Sequence, residues 1–110
     1  MKLKMFQVDA FASKLFSGNP AAVVILESFL DDRVMQSIAA ENNLSETAFV
    51  DINTNPISIR WFTPSMEVNL CGHATLASAR ILFDYYPNLA EEEINFDSKS
   101  GILKVQRCDD

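Results

Sequence analysis

The chain reads as a single α+β domain, with a curved, mostly antiparallel sheet wrapped around one central helix. Three observations predict this. Short alternating or β-branched segments outnumber helical ones, several are joined by turns too short for a crossover, and one apolar segment, Ala74 to Tyr86, has almost no polar face. With 110 residues, 48% of them apolar, the chain can bury one core and is too apolar for a disordered tail.

Leu3 to Ala10 alternates, with Lys4, Phe6 and Val8 on one side, and predicts a strand. Ser13 to Pro20, containing Ser17-Gly18-Asn19-Pro20, is loop punctuation. Ala21 to Leu26 is an unbroken apolar run and predicts a buried strand. Asp31-Asp32 places acids at the positive end of a helix whose Val34, Met35, Ile38 and Ala39 recur at helical spacing. Asn42-Asn43 should end it.

Ser45 to Asp51 and Ile57 to Thr63 predict two strands about a turn at Asn53-Thr54-Asn55-Pro56, with Pro64 closing the second. The segment ATLASARILFDYY, from Ala74 to Tyr86, is broken chiefly by Arg80 and Asp84. A helix of this kind, beginning near Gly72, belongs inside protein, with Ile81 and Leu82 buried. Glu92 to Asp97 and Ile102 to Gln106 predict a hairpin turning at Ser98-Lys99-Ser100-Gly101. The order is β-β-α-β-β-α-β-β. Its short connections favour antiparallel pairing over parallel crossovers, and the first helix is expected outside the sheet.

Composition excludes several classes. A net charge of −6 offers no positive face for nucleic-acid phosphates. Cys71 and Cys108 have no metal-ligand spacing and only one histidine to join them, so a structural zinc site is not expected. Two cysteines in such a chain fit reduced thiols and a cytoplasmic home. The start, MKLKMFQVDAF, lacks the apolar stretch of a signal peptide, and no run approaches transmembrane length, so no membrane partner is expected.

The residues that could carry chemistry lie between Asn42 and Ala79. Glu46 falls in the run Leu44, Glu46, Ala48, Val50. It is either an exposed glutamate at a strand start or a general base, because burial raises a carboxyl pKa toward the range where proton transfer is efficient. His73 would occupy the first turn of the apolar helix, either as an ordinary polar residue or as a neutral imidazole that donates a hydrogen bond or relays a proton. Cys71 is either a small buried hydrophobe or a thiol acidified by the helix N-terminus. Gly72 lets backbone approach a ligand closely. Asn19 is a turn former or a ligand contact. A carboxylate beside a helix N-terminus that can hold an anion suits moving a proton next to a carboxylate group. The chain has no GxGxxG, P-loop or GxSxG signature.

Asp9-Ala10-Phe11, Gly18-Asn19-Pro20-Ala21, the run from Glu41 to Phe49, Arg60 to Pro64 and Leu70 to Leu76 carry a resemblance. Over about Val8 to Ala79 the chain resembles the N-terminal half of the PhzF-like phenazine biosynthesis family, which has the diaminopimelate epimerase fold. The resemblance implies two such domains with the active site between them, no cofactor and no metal. It implies that Glu46, in the SET motif, is the general base and acid of an isomerisation, and that His73, in the CGH motif, relays protons and binds substrate. In epimerase relatives a catalytic cysteine stands at the place of Cys71.

The departure is length. Residues 1–110 correspond to one domain, and the family's second half, which supplies an aspartate and a serine, is not represented in them. The leading expectation is cofactor-independent proton transfer on a small carboxylate-bearing substrate. Glu46 and His73 would be catalytic, and Asn19, Ser45, Cys71, Gly72 and His73 would contact the substrate. Exposed apolar surface left by a missing second domain predicts a homodimer. The alternatives are a catalytically silent half-domain that self-associates or binds a partner, and a racemase or epimerase that uses Cys71.

Overall fold

A computed structural model describes residues 3–10 and 19–107, without the side chains of residues 9, 10 and 19. Seven strands and two helices follow in the order β1 (Lys4–Ala10), β2 (Asn19–Leu26), α1 (Asp32–Asn42), β3 (Glu46–Asp51), β4 (Ile57–Phe62), β5 (Glu67–Val68), α2 (Gly72–Tyr85), β6 (Glu93–Ser98) and β7 (Gly101–Gln106). The strands form one mixed sheet in the order β1-β2-β3-β4-β6-β7, with the two-residue β5 pairing β4.

Four neighbouring pairs are antiparallel, namely β1 with β2, β3 with β4, β4 with β5, and β6 with β7. The expectation of antiparallel pairing in place of crossovers fails at two points. β2 runs parallel to β3 and β4 runs parallel to β6. Each parallel pair is separated in sequence by a helix, α1 in the first case and α2 in the second, which is the connection that parallel strands need.

Alternation along the central strands divides the core in two. Val23, Ile25, Ala48, Val50, Ile59 and Trp61 pack with Ala74, Ala77 and Leu82 of α2. Val24, Leu26, Phe49 and Phe62 face the other way, onto Met35 and Ala39 of α1. The two helices therefore cover opposite faces. A strand apolar on both faces needs the unbroken run seen in β2. Burial of a side chain the size of Phe49 or Met35 contributes about 1.5–3 kcal/mol.

The ends of α1 are capped as its sequence predicts. The Asp31 carboxylate accepts from the Arg33 N–H at 3.0 Å. Asn43 takes the left-handed conformation, φ 52°, and its N–H reaches the Ala39 carbonyl. In α2 the buried hydroxyls of Thr75 and Ser78 donate to the carbonyls four residues back, Cys71 and Ala74, so the apolar core contains no orphaned hydroxyl there.

Two further expectations are corrected. Ile81 and Leu82 are buried as expected, at 5% and 0% exposure, but α2 is not enclosed all round. Gly72, Leu76, Arg80 and Asp84 form an exposed stripe at four-residue spacing, so the chain leaves one helix face open. β2 also begins at Asn19, where loop was expected, because Asn19 and Pro20 pair with Ala10 and Asp9. The rest of that loop, residues 13–18, and Cys108 lie outside the described residues.

Candidate active site

Glu46 is the first residue of β3, in register with Ala21 of β2. Only Asn43, Leu44 and Ser45 separate it from α1, so the left-handed Asn43 cap sets where β3 starts. Beside it, the Asn42 amide of α1 donates to the buried Thr47 hydroxyl at 3.2 Å, pinning the end of α1 to β3. With Thr47 committed to the α1 face, strand alternation turns Glu46 toward α2. There its Oε1 lies 2.6 Å from Nε2 of His73, with the two side chains 19% and 17% exposed respectively. Both contacting atoms are inaccessible to solvent.

His73 stands in the first turn of α2, behind the N-cap Cys71. Cys71 Sγ lies 3.7 Å from His73 Nδ1, so the imidazole bridges thiol and carboxylate through its two nitrogens. A neutral imidazole that donates from Nε2 to the Glu46 carboxylate leaves Nδ1 as acceptor toward the thiol. Cys71 is buried and takes part in no disulfide among the described residues. Burial pushes its thiol pKa up, and the Glu46 carboxylate pushes it further, against the opposing pull of the Ala74 and His73 backbone N–H groups. Cys71 is therefore not a thiol acidified by the helix N-terminus, because desolvation and a neighbouring negative charge outweigh the helix end.

The first closing bond of α2 runs from the Thr75 N–H to the Cys71 carbonyl at 3.1 Å. Gly72 is exposed there, and a Cβ built on it would meet nothing within 4 Å. Packing within this chain does not demand that glycine, and the space in front of it is open. Leu70 is 59% exposed just before Cys71, and Leu76 lies one turn further along α2 with 43% exposed.

The structure thus gathers Glu46, Cys71, Gly72 and His73 at the start of α2. Ser45 is exposed in the connection that precedes Glu46. Asn19 contributes backbone to β2, and its side chain lies outside the described residues. Of the residues that hold Glu46 in place, Asn42 was expected only as a helix end and Thr47 had no assigned role; the threonine of the Ser45-Glu46-Thr47 run was the available signal.

A second polar cluster lies on β4 and β5. Arg60 grips Glu67 through Nε and Nη2, each 2.8 Å from a carboxylate oxygen, while Nη1 reaches Asp32 of α1 at 3.0 Å and Lys99 joins Glu67 at 2.9 Å. It ties β4, β5, α1 and the β6–β7 turn together and brings no residue to the Glu46–His73 pair.

The sequence profile of the family described as phenazine biosynthesis-like protein (PhzC-PhzF) matches residues 8–110. An uncharacterised isomerase of Pseudomonas aeruginosa is 56% identical over 110 residues, which are 100% of this chain and 42% of that protein. The crystal structure of a phenazine biosynthesis protein of the PhzF family from Enterococcus faecalis superimposes with a TM-score of 0.91 at 53% identity, covering 99% of this chain and 42% of that one. A structure described as a predicted epimerase from Pseudomonas aeruginosa superimposes with a TM-score of 0.80 at 27% identity, covering 98% of this chain and 40% of that one. The chain therefore spans about two-fifths of the length of the relatives it matches. It belongs to the PhzC-PhzF, phenazine biosynthesis-like family.

Proposed function

We propose that this chain supplies the acid–base half of an isomerase site that moves a proton on a small carboxylate-bearing substrate without a cofactor. The observation that carries this reading is the 2.6 Å contact between Glu46 and His73 at the N-terminus of α2. Glu46 takes the proton from the carbon beside the substrate carboxylate and returns it at the new position. His73 holds the carboxylate of Glu46 through Nε2–H and relays protons. The positive end of the helix, at the exposed Gly72, receives the substrate carboxylate. Cys71, with its raised pKa, lines the site as a neutral thiol. That weighs against the epimerase reading in which Cys71 is the base. A thiol kept reduced accords with a cytoplasmic location.

The test is solvent exchange. In D2O, a panel of small carboxylates with an acidic C–H is incubated with the chain and read by NMR. At least one should gain deuterium at the carbon beside its carboxylate, and Glu46→Gln should abolish the gain while leaving the fold intact. Equal deuterium gain in the mutant would remove Glu46 from the role.

The exposed apolar side chains Leu70 and Leu76 at the site favour a second feature of this reading. We infer that this face is an interface, and that covering the open stripe of α2 completes the enclosure of that helix as the centre of a wrapped domain. For residues 1–110 by themselves the expected cover is a second copy, giving a homodimer. Light scattering tests this: a strictly monomeric species at micromolar concentration would contradict it.

A further inference from the structure

We propose that Arg60 and Glu67 are positioning residues for the proton transfer: their paired grip on β5 sets where α2 begins, and so brings His73 to Glu46. The catalytic consequence rests on the acid–base reading of Glu46 and His73, whereas the positioning itself does not.

The start of α2 is not fixed by a cap of its own. Its N-cap Cys71 makes no side-chain capping bond, whereas Asp31 caps α1. Only Val68, Asn69 and Leu70 separate Glu67 from Cys71, so restraints on that stretch carry into the first turn of the helix. Several converge there. Glu67 and Val68 pair with Phe62 and Trp61 of β4. Both carboxylate oxygens of Glu67 accept from Arg60, and Lys99 of the β6–β7 turn reaches one of them. From the same turn the Ser100 hydroxyl donates to the Asn69 carbonyl. Upstream, the Thr63 N–H closes the turn onto the Met66 carbonyl at 2.8 Å, and the Gln36 amide of α1 donates to the Thr63 carbonyl at 3.0 Å. The Arg60 guanidinium is itself seated against the rings of Phe29 and Phe62, 5.6 and 5.5 Å from their centres.

Strand register puts this clamp on the far side of the sheet. Arg60 stands opposite Phe49 and Glu67 opposite Phe62, on the face covered by α1, while Glu46 meets His73 on the α2 face. Neither clamp residue therefore touches the reacting groups, and both act through the backbone of β5. A largely buried ion pair is often no more stabilising than apolar side chains of similar volume, so stability alone does not account for this one. Geometry does, because a displacement of about 1 Å arising far from the chemistry can slow a reaction about a hundredfold.

The test is the double variant Arg60→Met/Glu67→Met in the whole chain, which removes the grip and keeps apolar volume in its place. Its urea midpoint should stay close to that of wild type. The ring nitrogen resonances of His73 should nevertheless move in a long-range proton–nitrogen NMR spectrum. Deuterium exchange into the carboxylate panel should fall about ten- to a hundredfold. Glu67→Gln keeps the shape of the side chain and should give a smaller change in the same direction; it carries the test if the double variant does not fold. Met35→Ala, a cavity beneath α1, should lose stability and leave the His73 resonances in place. Unmoved His73 resonances in the clamp variants would overturn the positioning role, and so would an equal displacement in Met35→Ala. Absence of exchange in wild type would remove the isomerase reading alone, since the resonances still decide the clamp.

Discussion

Glu46 and His73 meet at 2.6 Å from opposite sides of a packed interface, one at the first residue of β3 and the other in the first turn of α2. Cys71 sits beside both, and its thiol feels the negative charge of Glu46. That arrangement makes the thiol a reporter on the carboxylate.

Alkylation of Cys71 by iodoacetamide should be slow at neutral pH, because burial and Glu46 hold the thiol above its ordinary range and the thiolate is the nucleophile. Glu46→Gln removes the charge and keeps the shape. The pH–rate profile at Cys71 should then move to lower pH and the neutral-pH rate should rise. Cys108→Ser removes the competing thiol. An unmoved profile would mean that the carboxylate does not act on Cys71.

Leu82 and Leu76 lie on different faces of α2, the first wholly buried at 0% exposure and the second 43% exposed. Leu82→Ala should cost about 2–5 kcal/mol, as a cavity in the core. Leu76→Ala should change stability by about 0.5 kcal/mol or less when measured on the monomer. Urea unfolding of the two variants provides the comparison, and equal losses would contradict the open helix face.

The hydrogen bonds of the Arg60 guanidinium hold the Glu67 carboxyl below its ordinary range, outweighing the opposing effect of burial, with Lys99 adding to the shift. A carboxyl with a depressed folded-state pKa stabilises the fold above its unfolded value of about 4.3 and loses that contribution as pH falls through the folded value. Wild type should therefore lose stability below about pH 5 more steeply than Glu67→Gln. Arg60 is shifted upward by the same bonds and stays charged throughout this window. Chemical denaturation at a series of acidic pH values measures the two slopes, and parallel slopes would contradict the depressed value.

Gly72 separates the requirements of the fold from those of the site. Alanine favours a helix over glycine by up to about 1 kcal/mol, and a Cβ at position 72 meets no other atom within 4 Å. Gly72→Ala should leave the melting temperature unchanged or slightly higher. The same methyl group projects into the space assigned to the substrate carboxylate, so deuterium exchange into the carboxylate panel should fall. A variant that exchanges as well as wild type would show that no ligand approaches the backbone there.

Much of the fold was legible because the local signals agree with the packing. The run from Ala21 to Leu26 announces a strand packed on both faces, and Asp31 and Asn43 mark the ends of α1. The parallel pairings are not legible in the short turns, because they depend on the two helices, each of which returns the chain to run parallel to an earlier strand. β5 is two residues long and is held by pairing with β4 and the Thr63–Met66 turn, so periodicity has nothing to detect. The open face of α2 was hidden because Leu76 is exposed while being as apolar as the buried Leu82.

The site was legible as residues and not as an assembly. Glu46, Cys71 and His73 each stand out by type and position. Their mutual contact depends on strand alternation at Thr47 and on the packing of α2 against β3, which no spacing in the sequence encodes.

His73 is the chain's only histidine, so its ring nitrogens can be read without ambiguity in a long-range proton–nitrogen NMR spectrum. That spectrum, recorded at neutral pH on wild type and on Glu46→Gln, tests most directly whether Glu46 and His73 act as one acid–base unit. The account predicts a wild-type imidazole protonated at Nε2, with both nitrogen resonances changed when the carboxylate becomes an amide. A wild-type ring protonated only at Nδ1, or identical spectra for the two proteins, would contradict it.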